Sequence, residues 1–136
     1  MKREMIFVNQ PDKISGLRVV QDGQEIADAL AKGEEVMHWE SGDSMFPILV
    51  NMEYCHIKPC KPSDVKVGDA VFCAFGYQDA VGNTVKAHMV HRVGDIVERD
   101  ETLWFKIVDT ETTCFGWTNE VLGLAYSTNI FQRFDE

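Results

Sequence analysis

A chain of 136 residues, 45% apolar and 26% charged, has the length and composition of one ordinary globular domain. Its net charge of −9 and pI near 4.8 argue against a nonspecific grip on phosphate backbones, so no nucleic-acid partner is expected. No stretch approaches the ~18 consecutive apolar residues of a membrane-crossing helix, and the first residues hold too short an apolar run for a signal peptide, so a cytoplasmic location is the default expectation.

In chain order, residues 5–8 read as a short strand that Pro11 and Asp12 break, and residues 17–20 as a second strand ended by Asp22-Gly23. Residues 24–32 carry an apolar stripe at helical spacing through Ile26, Ala27, Ala29 and Leu30, with Asp22 placed to cap and Gly33 to stop the helix. Residues 36–40 alternate apolar and polar, as a strand does, and residues 54–57 form another short strand. Two prolines make residues 58–66 a connection, and Val67-Gly68-Asp69 a turn into residues 70–75, a run apolar enough to be buried on both faces. A hairpin loop at 79–83 leads to a return strand over 84–93, which residues 95–98 extend past a bulge at Gly94. Asp100-Glu101 is a turn, residues 103–109 a strong strand, residues 110–118 an irregular segment, and residues 121–127 the last clear strand. Many short strands, one short N-terminal helix and turn signals at regular spacing predict a mainly β domain, a coiled sheet or partly open barrel. Residues 1–35 are expected to pack on a main β domain over 36–136 as one compact unit, and Trp39, Phe46, Phe72, Phe75, Trp104 and Phe105 to fill its core.

The segment with most chemistry is Ser41-Gly42-Asp43-Ser44-Met45-Phe46-Pro47, at the end of the 36–40 strand. Gly42 permits unusual backbone angles, and Pro47 fixes its own φ and ends regular ladder bonding. A bend of this kind exposes a serine hydroxyl and leaves backbone N–H groups free, the parts of a nucleophile and an oxyanion hole. A turn serine that only bonds local backbone has the same composition. The cysteines at 55, 60, 73 and 114 contain no Cys-x-x-Cys pair, and Cys55, His56 and Cys60 match no compact zinc module, so buried or half-buried free thiols are expected, with no metal and no cofactor.

Four further features stand in order after that bend: Val67-Gly68-Asp69-Ala70-Val71, Val90-His91-Arg92-Val93, Val108-Asp109, and Glu120-Val121-Leu122-Gly123-Leu124-Ala125. With Ser44-Met45-Phe46-Pro47 they resemble the superfamily of type I signal peptidases and LexA-type self-cleaving repressors over residues 36–127. Val90-His91-Arg92-Val93 resembles the version of that family, archaeal and endoplasmic-reticulum, whose general base is histidine rather than lysine. The resemblance implies a LexA- and signal-peptidase-like coiled sheet and a serine peptidase in which Ser44 is the nucleophile, His91 the base and Asp109 the residue that orients it. Gly42, Asp43 and Ser44 would form the oxyanion turn, and Met45, Phe46 and Pro47 would line a groove for an extended peptide or protein segment with small side chains near the cut.

This sequence also departs from the family. The Gly-Asp-Asn-Asn motif is reduced to Val108-Asp109-Thr110-Glu111; the anchor of signal peptidases and the DNA-binding domain of the repressors are not found; and no Ala-Gly or Cys-Gly bond precedes Ser44, so self-cleavage of the repressor style is not expected. A noncatalytic interaction or assembly module on the same fold is therefore the alternative. His91 and Asp109 also have plain readings, a satisfied half-buried histidine and an exposed strand-end carboxylate. Lys86 is a weaker fit as base, because with His88 it falls on the strand face opposite His91.

Overall fold

A computed structural model describes residues 17–40, 53–109 and 113–127 of the chain. Among these, one helix and seven strands form a single antiparallel sheet: α1 (Gly23–Ala31), β1 (Val36–Glu40), β2 (Glu53–Pro59), β3 (Ala70–Gln78), β4 (Thr84–Arg99), β5 (Thr102–Val108), β6 (Cys114–Thr118) and β7 (Glu120–Ser127). The spatial order is β1-β2-β7-β3-β4-β5-β6, so β7 inserts between β2 and β3 and the sheet ends on β1 and β6 without closing. The expected strand at 5–8 and the serine bend at 41–47 lie outside the described residues.

The helix forms where its stripe and caps predict. The Asp22 carboxylate accepts the Glu25 N–H at 3.0 Å, Ile26, Ala29 and Leu30 are buried, and Gly33 takes a left-handed φ of 83° just beyond the last turn. β3 is the divider of the molecule, as its apolar run predicts. Ala70 and Phe72 face one core with Ile26, Leu30, Val36, Ile57 and Val90, under the helix. Val71 and Cys73 face a second core with Val93, Phe105, Ile107 and Val121.

β4 is long because it serves two partners. Thr84 to Arg92 pair with β3, and Arg92 to Arg99 pair with β5. The register slips between Val93 and Asp95, so Gly94 is the extra residue, as the sequence predicts. β5 joins only from Arg92 onward, so the outer edge of β4 over residues 84–91 carries no strand partner among the described residues.

Two expectations are corrected. Residues 17–20 form no ladder strand; they make one parallel bridge, Val19 to Met37, because a short segment tied to the following helix meets β1 only there. Within the segment expected to be irregular, Cys114–Thr118 is β6. Its alternation is broken by a second bulge: Ile107 pairs with Gly116 but Val108 pairs with Cys114, which leaves Phe115 as the extra residue. Gly116 sits at φ 130°, an angle that favours glycine. The aromatic expectation also divides. Phe72 and Phe105 are buried, whereas Trp39, Phe75 and Trp104 are half-buried.

The cysteines are free thiols: Cys55 and Cys73 are buried, Cys60 is half-buried and, contrary to expectation, Cys114 is exposed on β6. Burial pushes the Cys73 thiol up to about 12, and burial with the Asp64 and Asp69 carboxylates pushes Cys60 up to about 11. At neutral pH, Cys114 should react rapidly with a disulfide reagent while Cys55 and Cys73 stay silent until denaturant is added. Mass spectrometry of the labelled peptides checks this, and fast labelling of Cys73 in the folded protein contradicts it.

Candidate functional site

Successive elements bring three histidines to one cleft of about 210 Å³, lined by Gln21, Gly23, Ile26, His38, Phe72, His88, Met89, Val90 and His91. His38 comes from β1, the strand that leads toward Ser44, and His88 and His91 come from the open-edged half of β4. Both odd and even residues of β4, His88 to His91, line the cleft.

The N-terminal segment closes one side. Val20 N–H donates to Met37 O at 2.8 Å and Met37 N–H to Arg18 O at 3.0 Å. The Gln21 side chain then serves as a further backbone-like partner for β1, accepting the Trp39 N–H at 2.7 Å and donating to Trp39 O at 3.3 Å. This leads the helix into position beside β4. A Cβ added at Gly23 would lie 2.8 Å from His88 Cβ, so only glycine allows this approach. His88 stacks on Phe72, with ring centroids 5.5 Å apart and planes 10° from parallel, and the His38 Nδ1 lies 3.1 Å from Val20 O.

His91 pairs with Val71 across the β3–β4 ladder and is half-buried. Its imidazole lies against the Phe115 ring, with centroids 4.3 Å apart and planes 27° from parallel. Its Nδ1 is buried and has no hydrogen-bond partner among the described residues. Arg92 pairs with Val108 in register, so the next residues along, His91 and Asp109, are neighbours at the end of the β4–β5 ladder. Burial lowers the His91 pKa from its ordinary 6.5, and the Asp109 carboxylate pulls the other way by favouring the imidazolium. Asp109 also bonds Thr113 and Arg92. Its N–H donates to Thr113 O and its Oδ1 accepts the Thr113 N–H, both at 3.0 Å, while its carbonyl accepts from Arg92 Nη2 at 3.2 Å.

The three sequence-predicted catalytic residues thus fare differently. His91 and Asp109 lie side by side without a hydrogen bond to His91 Nδ1, and Ser44 lies outside the described residues, as do Gly42, Asp43, Met45, Phe46 and Pro47. The weaker alternative base, Lys86, is held on the other strand face by an ion pair with Glu120 at 2.7 Å. Phe115 is the site residue that sequence reasoning missed. Its signal was the glycine inside an aromatic strand pattern, Phe115-Gly116-Trp117, which marks a bulge.

The burial of His91 couples its charge to folding. As pH falls below the ordinary 6.5, the unfolded chain takes up a proton at this position that the folded chain resists. The contribution is present above that value and is lost on acidification. Stability measured by chemical denaturation should therefore fall between about pH 7 and pH 5, and fall less steeply in His91→Gln, which does not titrate. Equal slopes for the two proteins refute the coupling. No protein-family model, curated protein or solved structure matches the chain.

Proposed function

We propose that this chain is a serine-peptidase-like protein of the signal peptidase and LexA type that cleaves an extended peptide segment. The observation that supports the reading most is convergence: His38, on the strand that precedes Ser44 in the chain, lines the same cleft as His91. Only six positions separate His38 from Ser44, a reach of at most roughly 20 Å of extended chain. In this reading the Ser44 hydroxyl attacks the substrate carbonyl while His91 takes its proton. His91 then returns that proton to the leaving amine, and water hydrolyses the acyl-serine by the reverse sequence. The backbone N–H of Ser44 is the oxyanion donor. Asp109 favours the imidazolium that forms on attack. The substrate lies as an added strand along the open outer edge of β4, where backbone groups are available to pair with it.

A second reading has its own support. A buried His91 Nδ1 without a partner among the described residues, beside an Asp109 carboxylate that accepts the Thr113 N–H, suits a noncatalytic binding module on the same fold. Incubation with a library of quenched fluorescent peptides, followed by mass spectrometry of the products, separates the two. Cleavage at defined bonds that disappears in Ser44→Ala supports the peptidase. Peptide binding that survives in Ser44→Ala, without any cleavage by the natural protein, supports the module.

A further inference from the structure

We propose that Phe115 is a positioning residue for His91: the bulge in β6 exists to swing its ring onto the imidazole, fix the ring plane and dry one face. The inference rests on reading His91 as the general base. Regular pairing would continue from Ile107–Gly116 to Val108–Phe115. Instead Val108 pairs with Cys114, and Phe115 is left out of the ladder. A bulged residue has its side chain re-aimed, and here the new direction ends on His91 at a centroid separation of 4.3 Å. Gly116 adopts the positive φ that accompanies the slip, and a Cβ added there would lie 3.4 Å from the Phe75 ring, so Phe75 packs beside the distortion.

Packing alone does not account for the arrangement. Phe115 remains 41% exposed and belongs to neither buried core, and the ring contact it makes among the described residues is with the His91 imidazole. The contact matters because, among the described residues, His91 Nδ1 has no hydrogen bond to hold the ring. A base oriented by a carboxylate owes its ring angle to that bond. Here the stacked phenyl ring supplies the constraint, and Asp109 supplies charge from the neighbouring strand. Among the described residues, the charged group that acts on the imidazole is Asp109 from the end of β5; His38 and His88 line the same cleft, and β3 and α1 face it with Phe72, Gly23 and Ile26, which do not titrate.

The test is proton NMR of the full chain across pH, with the His91 ring signals assigned by their loss in His91→Asn. In the natural protein these signals should be shifted upfield by the Phe115 ring, with a titration midpoint below 6.5. In Phe115→Ala the upfield shift should vanish and the midpoint should rise toward the ordinary value; Phe115→Tyr should restore both. A midpoint unchanged or lowered in Phe115→Ala, or a tyrosine variant that behaves as the alanine one, overturns the proposal. With a cleavable peptide, Phe115→Ala should lower kcat about tenfold with little change in KM, since a misaligned base costs rate rather than ground-state binding, and should move the acid limb of the pH profile upward. A change confined to KM makes Phe115 a substrate contact and overturns the positioning role. If the natural protein cleaves no peptide, the peptidase reading fails, while the NMR titration still decides whether Phe115 positions His91.

Discussion

Replacing Ser44 by alanine is expected to lower peptide cleavage by about four orders of magnitude or more, and His91→Ala by a similar factor. The two losses should not add. In the proposed mechanism Ser44 is a poor nucleophile until His91 takes its proton, and His91 has no role in attack without the hydroxyl, so removing either would remove the same step. The double variant should therefore be about as slow as either single one. Asp109→Asn should cost less, because the aspartate favours the imidazolium from beside the ring and gives His91 Nδ1 no hydrogen bond. Single-turnover measurements on a quenched peptide provide the comparison. Rates that fall additively, or an unchanged rate in His91→Ala, rule out a Ser44–His91 pair. The result bears on the fold as well, since it asks whether the chain between Glu40 and Ser44 turns into the cleft that His38 and His91 share.

Phe105→Ala is expected to be the most damaging single truncation in the described core, at about 3–5 kcal/mol. Phe105 is the largest fully buried side chain, at 0% exposure, and packs with Val71, Val93, Ile107 and Val121 in the second core. That is a large share of the ~5–15 kcal/mol by which small domains are stable. It also lies on the strand that carries Asp109 to His91, so loosening it should blur the site as well as the core. Trp104, the next residue, is larger but half-buried on the other face of β5, where it pairs in register with Val97. Trp104→Ala should cost less, despite removing more atoms, because water already reaches part of the ring. Urea denaturation of the two variants gives the order, and a greater loss from Trp104→Ala contradicts this assignment of faces.

The difference between those neighbours illustrates how much of the fold is legible in residue order. Period-two alternation identifies β1 and the paired halves of β4, an unbroken apolar run identifies the doubly buried β3, and Asp22 and Gly33 bracket the helix from both ends. Gly94 announces its bulge because it interrupts an otherwise continuous strand pattern. β6 escapes the same logic. Only five residues long, with a glycine at its centre and a slip in register, it has too short a pattern for alternation to emerge. The 17–20 segment errs in the opposite direction: Val19 and Val20 have strand character, but Gln21 completes the contact with β1 through its side chain, a pairing that no backbone periodicity encodes.

The candidate site divides in the same way. Residue types and their order, a serine before Met-x-Pro, a histidine before an arginine and an aspartate after a strand, are properties of the chain, and their resemblance to the signal peptidase and LexA type is what implies the proposed acyl-transfer chemistry. The sheet order, which inserts the last strand between β2 and β3, the shared cleft of β1 and β4, the orphaned His91 Nδ1 and the Phe115 ring stacked on the imidazole belong to the tertiary structure alone. The physical reason is the range of the forces involved. Alternation, capping and turn geometry act between residues a few positions apart and leave their mark in local sequence. Burial, dielectric environment and ring stacking depend on which distant strands become neighbours, and Phe115 reaches His91 only because β4, β5 and β6 lie side by side.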